Sequence, residues 1–221
     1  MTPPATRSRS RCRPFVAAFL LVLPVVTAAA TVRIVQTNSA GDNIHLIDPA
    51  TNKVVAVIGG IEVPHGAAVA PDGSRLYVTN EADHTLDVVD GRTYAVTRKV
   101  ALTGRPNNVA ISHDGRHIYV AIRSEPGAID VIDAASAAKV KTIPMQGGVH
   151  NTYVTPDGKY VIAGSISGQR LTVIDGTSEE PVWSLAFDRG VRPIAFDRNA
   201  DGSTRRLFVQ LSDFQIGRAH V

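Results

Sequence analysis

The chain has 221 residues and a formal net charge of +3, with 23 Lys and Arg residues against 20 Asp and Glu residues. Four arginines and no acidic residue lie in the first 30 residues, so the remainder carries a net charge of −1. This balance gives no support for nucleic acid as a partner, because that would require a basic patch in the remainder. The one cysteine, Cys12, also lies in this first segment, which leaves no disulfide, thiolate nucleophile or cysteine metal ligand for the rest.

Residues 1–30 are predicted to be a secretory signal peptide. Arginines at positions 7, 9, 11 and 13 form a basic segment, residues 15–26 an apolar one, and residues 28–30 a cleavage site of small residues. A retained membrane anchor is the alternative interpretation, but the apolar segment is short for a bilayer span. We therefore expect an exported chain, periplasmic or at the cell surface, with no membrane span after cleavage.

Two series of aspartates indicate a repeat in the rest of the chain. The first series lies in tight turns at intervals of 42, 43 and 44 residues: Asp72, Asp114, Asp157 and Asp201. The second series ends short aliphatic runs at intervals of 42, 43 and 42 residues: Asp48, Asp90, Asp133 and Asp175. A fixed period of this size is typical of repeat architectures.

Each repeat divides into four short β-runs. The second repeat illustrates this with runs at residues 66–70, 75–80, 85–90 and 95–101. Four strands in roughly forty residues is the spacing of a propeller blade. A β-sandwich is the alternative, but it does not require the whole four-strand unit to repeat. The sequence therefore predicts an all-β fold, a β-propeller with four-stranded antiparallel blades.

Residues 71–80, PDGSRLYVTN, are the most regular copy of a motif that returns as HDGRHIYVAI, PDGKYVIAGS and DGSTRRLFVQ. This motif resembles that of the YVTN-type β-propeller repeat proteins of bacteria and archaea. The resemblance implies a propeller but leaves the activity open, because related propellers include surface-layer proteins, periplasmic binding proteins and subunits of quinone or heme enzymes. Within the motif, Tyr77 and Asn80 are interpreted as residues for strand packing and edge bonding.

The number of strands predicts an incomplete arc of about four and a half blades. The repeats are expected at about 31–60, 61–102, 103–144, 145–187 and 188–214, where the first lacks its inner strand and the last has two strands. Residues 215–221 are predicted to be a non-native tail, because their sequence resembles the translation of a sequencing adapter. We therefore expect a truncated C terminus, and an exposed strand edge that favours aggregation.

The mouth of the central channel, where the inner strands begin, is the usual ligand site of a propeller. His65, Asn107 and His150 stand seven residues before turn aspartates, and Arg192 is their equivalent in the last repeat once an insertion is allowed for. These residues are predicted to hold an anionic or polar ligand. Inner strands of adjacent blades are expected to be too far apart for a metal, so no metal site is predicted. The alternative is that the four residues line a watery channel and satisfy backbone groups.

Loops between second and third strands should add charge to the same face. Their polar residues are Glu81, Asp83, His84, Arg123, Glu125, Ser165 and Ser167. Such mixed charge is typical both of variable binding loops and of solvated loops.

No catalytic motif is present in the sequence. The chain has no Cys-x-x-Cys-His for c-type heme, no Gly-x-Ser-x-Gly elbow, no His-Glu-x-x-His and no phosphate-binding glycine-rich loop. The main hypothesis is therefore a non-catalytic, exported binding or scaffold module without a cofactor, which recognises a protein or a small ligand. One alternative is a propeller subunit of a periplasmic oxidoreductase or a lactonase-like enzyme, and another is a cell-surface structural protein.

Overall fold

The computed structural model describes residues 32–212, so the predicted signal peptide and the predicted tail at 215–221 lie outside the described residues. The described part consists of 17 β-strands joined by turns. In this part of the chain, no helix is long and apolar enough to cross a membrane.

The strands form five antiparallel sheets that follow one another in chain order. The first sheet has three strands: β1 (Ile34–Asn38), β2 (Asn43–Asp48) and β3 (Lys53–Gly59). The second has four: β4 (Pro64–Val69), β5 (Arg75–Asn80), β6 (Thr85–Asp90) and β7 (Val96–Ala101). The third has four: β8 (Pro106–Ile111), β9 (His117–Ile122), β10 (Ala128–Asp133) and β11 (Ala138–Pro144). The fourth has four: β12 (Val149–Val154), β13 (Tyr160–Ser165), β14 (Arg170–Asp175) and β15 (Pro181–Ala186). The fifth has two: β16 (Gly190–Arg198) and β17 (Thr204–Ser212).

The prediction of four-stranded antiparallel blades in an incomplete propeller arc is confirmed. Strands β4, β8, β12 and β16 are the inner strands, and each of the first three contacts the inner strand of the next sheet. The first sheet corresponds to the second, third and fourth strands of a blade, and its β1 lies beside β4 of the next sheet. In the second sheet, the observed strands begin within two residues of their predicted starts.

Local hydrogen bonds to the aspartate and the backbone freedom of the glycine stabilise the Asp-Gly turns between first and second strands. The Oδ1 atom of Asp72 accepts hydrogen bonds from the backbone N–H and the hydroxyl of Ser74, at 2.9 and 2.7 Å. Gly73 follows with a φ of 72°, a conformation that glycine adopts without steric cost. The other aspartate series caps the next turn, because Asp90 accepts a hydrogen bond of 2.7 Å from the backbone N–H of Thr93.

The YVTN segment on β5 links two neighbouring sheets. Tyr77 is buried in the core between the second and third sheets, and Val78 in the core between the first and second sheets. The hydroxyl of Thr79 accepts a hydrogen bond from Gly66 N–H at 2.7 Å and donates one of 2.6 Å to the carbonyl of Asn107. Asn80 donates a hydrogen bond to Asp87 on β6, the neighbouring central strand of the same sheet. This motif therefore fixes inner strands β4 and β8 relative to each other.

Apolar side chains fill the space between consecutive sheets. The burial of an outer-strand side chain depends on the next sheet, as Leu185 illustrates. Leu185 lies on the outer strand of the fourth sheet and is 51% exposed. Its counterparts on the outer strands of the first three sheets, Ile58, Val100 and Ile143, are at most 6% exposed. The difference arises because the fifth sheet has only two strands within the described residues, and its strands cover only the inner part of the fourth sheet.

Candidate functional site

The inner strands place the four predicted site residues at one end of their sheets. His65, Asn107 and His150 are each the second residue of their strands, β4, β8 and β12. Arg192 is the third residue of β16. Because the inner strands all run in the same direction, the loops that follow the second strands lie at this end as well.

The imidazole rings of His65 and His150 come together although β8 lies between their strands. Their centroids are 6.3 Å apart and their planes are inclined by 88°, which is an edge-to-face contact. Asn107, on the intervening strand, is 2% exposed, and its Nδ2 atom has no hydrogen-bond partner among the described residues. A buried amide group without a partner is costly, so this donor suits a bound water or ligand.

A buried carboxylate ties two arginines to the same end of the sheets. Glu81, in the loop after β5, is 6% exposed, and its Oε1 atom contacts Arg105 Nε at 2.7 Å and Arg123 Nη1 at 2.9 Å. Arg105 directly precedes β8 and Arg123 directly follows β9. Only the carboxylate of these ion pairs is buried, and losing the arginines would leave its charge uncompensated, so this cluster holds the loops of the second and third sheets together.

Sequence reasoning missed Arg105 and the pairing of Glu81 with Arg123. The residues equivalent to Arg105 are Val63, Gly148 and Gly190, so no repeat marks this position. Glu81 and Arg123, in contrast, stand at equivalent positions, each directly after the second strand of its blade. Their opposite charges at matching positions of adjacent blades were the signal that could have predicted the ion pair.

A cavity of about 290 Å³ opens beside His150. Its lining residues are Arg123, Glu125, Gly148, His150, Ile166, Ser167 and Arg192. Glu125 is held in place, because its Oε1 atom accepts hydrogen bonds from Gly148 N–H at 2.8 Å and from the Ser167 hydroxyl at 2.6 Å. Two guanidinium groups and an imidazole line this cavity together with the Glu125 carboxylate, a set that suits a small polar or anionic group, and the volume is at the lower limit for small-molecule sites. We call His65, Glu81, Arg105, Asn107, Arg123, His150 and Arg192 the mouth site.

The two imidazoles of the mouth site are expected to be neutral at pH 7, because the protein lowers their pKa values. Burial lowers the pKa of His65 from 6.5, the nearby Glu81 raises it, and Arg123 and Arg105 lower it. Burial also lowers the pKa of His150, its hydrogen bond to Asn151 raises it, and Arg192 and Arg123 lower it. Neutral imidazoles can accept or donate hydrogen bonds and can bind metal ions.

Acidification from about pH 7 to about pH 5 is expected to lower the free energy of unfolding. Because folding lowers the pKa of His65 and His150, the unfolded chain takes up protons below pH 6.5 that the folded chain does not bind until its lower pKa values are reached. Stability therefore falls as the pH falls through this window, while above it the two histidines make no contribution. Folding lowers the pKa values of Asp72 and Asp90 from 3.8, so these groups change the free energy of unfolding only at more acidic pH.

Urea unfolding across this pH range measures the effect. Substituting both histidines by Gln should flatten the slope of the unfolding free energy against pH, because Gln does not titrate. An unchanged slope in the double variant would assign the pH dependence to other groups.

Some residues of the mouth site could hold a cofactor. Among residues 32–212, no group of three or more His, Cys, Asp and Glu side chains is arranged to hold a metal ion. His65 and His150 could nevertheless bind a metal ion, since their rings are closer than the spacing of the blades suggested. Arg123 and Arg192 could bind carboxylates, for which the planar guanidinium group is well suited.

The opposite end of the sheets has a larger cavity, of about 400 Å³, between the second and third blades. Its charged groups take part in turn structure. Asp72 binds Ser74, Asp114 binds Arg116, and Arg75 donates to the backbone carbonyl of Ala134. This cavity is therefore explained by the turns, and it is not a candidate site.

The chain matches the model of a known protein family. The family model for the Cytochrome D1 heme domain matches residues 32–155 and 77–191, which together are more than half of the chain. The chain belongs to this family. The matched residues include three inner strands of the described structure, those of His65, Asn107 and His150. A comparison with curated proteins finds no match.

Solved structures with the same fold include two propellers. Hydrazine synthase of Kuenenia stuttgartiensis is similar with a TM-score of 0.72 and 26% identity, over 85% of this chain and 55% of the other. Dihydro-heme d1 dehydrogenase NirN in complex with DHE is similar with a TM-score of 0.67 and 21% identity, over 87% of this chain and 42% of the other. The chain thus spans about half the length of these solved relatives.

Proposed function

We propose that this chain is the propeller part of an exported, heme-related oxidoreductase and that its mouth site binds a heme-type cofactor. The observation that carries the proposal is the edge-to-face pair of His65 and His150, with Arg123 and Arg192 beside it. Membership of a family named for its heme domain supports the same assignment. The proposal favours the oxidoreductase alternative of the sequence hypotheses over a scaffold without a cofactor. The YVTN type of the repeats and the export of the chain remain parts of this proposal.

The donor groups of the mouth site fit a heme-type group. Neutral imidazoles bind iron, arginines bind carboxylate substituents, and the buried Nδ2 of Asn107 can donate to a polar edge. The absence of a Cys-x-x-Cys-His motif implies non-covalent binding. The cavity of about 290 Å³ is at the lower limit for small-molecule sites, so only part of such a group could lie inside it.

The protein residues would bind and orient this group. A heme-type cofactor, when bound, supplies iron for electron transfer or for activating a small ligand. The neutral imidazoles offer a lone pair or an N–H, while Arg123 and Arg192 compensate negative charge. Glu81 holds Arg123 at the edge of the cavity through the 2.9 Å ion pair.

Heme titration tests the proposal. We expect the purified chain to bind iron protoporphyrin IX with a shift of its main absorption band. Substituting His65 and His150 together by Gln should lower the heme affinity by more than about 100-fold. Loss of a residue that only supports a ligand typically lowers the affinity by roughly 10- to 100-fold. His113→Gln is the matched control, because His113 lies in the exposed turn at the opposite end of β8.

The outcome separates the cofactor proposal from its rival. Equal affinity of the wild type and the double variant, with both well folded by circular dichroism, would contradict heme binding at the mouth site. The second candidate function, a binding module for a small polar ligand without a cofactor, would then be favoured. One observation favours that candidate, namely that Glu81 forms ion pairs with two of the arginines.

A further inference from the structure

We infer that Asn151 is a positioning residue of the mouth site: its amide oxygen holds the hydrogen of the neutral His150 ring on Nδ1, which leaves Nε2 as the nitrogen that can bind iron. This inference rests on the proposed function and adds two things to it. It names the atom that would bind the cofactor and the residue that prepares this atom.

A β-bulge in β12 brings the side chains of His150 and Asn151 together. Consecutive residues of a regular strand point to opposite faces of the sheet, so their side chains do not meet. In β12 the register shifts between Val149 and Asn151, which pair with Ser165 and Gly164 of β13, and His150 is the extra residue. Such a bulge redirects the extra side chain. The imidazole thereby reaches the next residue, and Nδ1 of His150 lies 2.6 Å from Oδ1 of Asn151.

The chemistry of this contact determines which ring nitrogen carries the hydrogen. The amide oxygen of Asn151 only accepts hydrogen bonds, so Nδ1 of His150 is the donor. A neutral imidazole has one N–H, and with the hydrogen on Nδ1 the lone pair is on Nε2. A histidine side chain in water prefers the opposite tautomer, with the hydrogen on Nε2. The preference for Nδ1–H therefore has to come from Asn151.

Burial makes this hydrogen bond selective. Asn151 is 7% exposed, so water has little access to its amide group. The tautomer with the hydrogen on Nε2 would place two acceptors, the Nδ1 lone pair and the amide oxygen, 2.6 Å apart. An unpaired polar group is more costly in a buried site than at the surface. Both effects favour the hydrogen on Nδ1.

His65 has no such neighbour in its own strand. β4 also has a bulge at its start, but the residue that follows His65 is Gly66. A side chain does not fit there, because a Cβ atom at Gly66 would lie 2.8 Å from the carbonyl oxygen of Asn107. The close packing of β4 on β8 thus excludes an equivalent amide beside His65. Of the two imidazoles, that of His150 is the one prepared to bind through Nε2.

A fixed tautomer favours the binding of a metal. A histidine that binds a metal through one nitrogen almost always donates its other N–H to a carboxylate, a carbonyl group or water, which fixes the orientation of the ring. Asn151 supplies the carbonyl group here, and His150 lines the cavity of about 290 Å³. Asn151 therefore acts on the cofactor through His150 and does not need to contact the cofactor itself.

NMR spectra that correlate the ring carbon-bound hydrogens with the two ring nitrogens identify the tautomer in the ligand-free chain. The ¹⁵N chemical shift of an imidazole nitrogen differs strongly with and without its hydrogen. Spectra at about pH 9 report on neutral rings, because the ordinary pKa of histidine is about 6.5. His150→Gln assigns the signals. In the wild type we expect the hydrogen of His150 on Nδ1, and this measurement alone tests the inference, whatever the stability of any variant.

Substitutions at position 151 should control the tautomer. Asn151→Ala removes the acceptor, so we expect the hydrogen of His150 to move mainly to Nε2 and the affinity for iron protoporphyrin IX to fall roughly 10- to 100-fold. Asn151→Asp keeps an acceptor oxygen and should retain both the Nδ1–H tautomer and most of the affinity. Asn108→Ala is the matched control, because Asn108 is the equivalent residue of β8 and accepts from the backbone N–H of Thr152. It should leave the tautomer of His150 as in the wild type.

The inference is overturned if the wild type carries the hydrogen of His150 on Nε2 or equally on both nitrogens, or if Asn151→Ala leaves it on Nδ1. It is also overturned if Asn151→Ala binds heme as tightly as the wild type while the double histidine variant does not. The proposed function fails separately. A wild type with the Nδ1–H tautomer, but with a heme affinity that does not depend on His65 and His150, would contradict the proposed cofactor and leave the action of Asn151 on His150 intact.

Discussion

Replacing Gly66 by Ala is expected to lower the free energy of unfolding by about 1–3 kcal/mol, the usual cost of overpacking, or by more. A Cβ atom at this position would lie 2.8 Å from the carbonyl oxygen of Asn107, 2.9 Å from Asn108 Cα and 3.0 Å from the backbone nitrogen of Val109. All three atoms belong to the backbone of β8, so no side chain can turn away to make room. Inner strands β4 and β8 would have to separate, and the hydrogen bonds of Thr79 to both strands would lengthen.

Gly59→Ala is the matched control for this prediction. Gly59 is an exposed strand residue with nothing within 4 Å of the added Cβ, so the change should stay within about 0.5 kcal/mol. Urea unfolding followed by circular dichroism compares the two variants. Equal stability of both variants would show that β4 and β8 can separate freely, and that their close approach does not constrain the mouth site.

The repeat made the fold predictable from the sequence. Asp72 and Gly73 specify a turn through local bonds and a φ value that glycine tolerates, and neither depends on distant residues. Tyr77 and Val78 alternate between two cores, as a strand covered on both faces requires. Since these signals recur in several repeats, each repeat supports the interpretation of the others.

Only the site residues that stand at equivalent positions of the repeat could be predicted from the sequence. The spacing to the turn aspartates placed His65, Asn107 and His150 at the start of the inner strands, because that position depends on strand register alone. The 6.3 Å separation of the imidazole rings depends on how closely three inner strands pack, which no spacing along the chain encodes. The predicted four-residue ring therefore omitted Glu81 and Arg105, whose roles come from contacts between blades.

The structural and candidate functional residues are connected through the same strands. Thr79 of the repeat motif binds the carbonyl of Asn107, whose side chain is part of the mouth site. Asn80, the next residue, is followed directly by Glu81, which pairs with the arginines. The motif that identifies the repeat thus also fixes the position of the site in the second and third blades. Substitutions in the motif are expected to alter ligand binding indirectly.

Asp130→Ala is expected to lower the free energy of unfolding by about 2–4 kcal/mol, because a buried donor that loses its acceptor costs about 1–3 kcal/mol. Asp130 has no exposed surface, and it accepts hydrogen bonds from the Thr103 backbone N–H at 2.6 Å and from the hydroxyls of Thr103 and Thr142 at 2.7 Å. Lys139 lies 3.7 Å away. Removing the carboxylate would leave these donors without their acceptor, and the loss would be measured by urea unfolding.

Thr172→Ala provides the comparison within the same molecule. Thr172 is the third residue of β14, as Asp130 is of β10, so the backbone setting is matched while the buried carboxylate is not. We expect a change of at most about 1 kcal/mol for Thr172→Ala. Asp130 also fastens Thr103, two residues before Arg105, so its loss should loosen the Glu81–Arg105 contact. Similar losses in both variants would mean that the network around Asp130 adds little to stability and does not hold Arg105 in the mouth site.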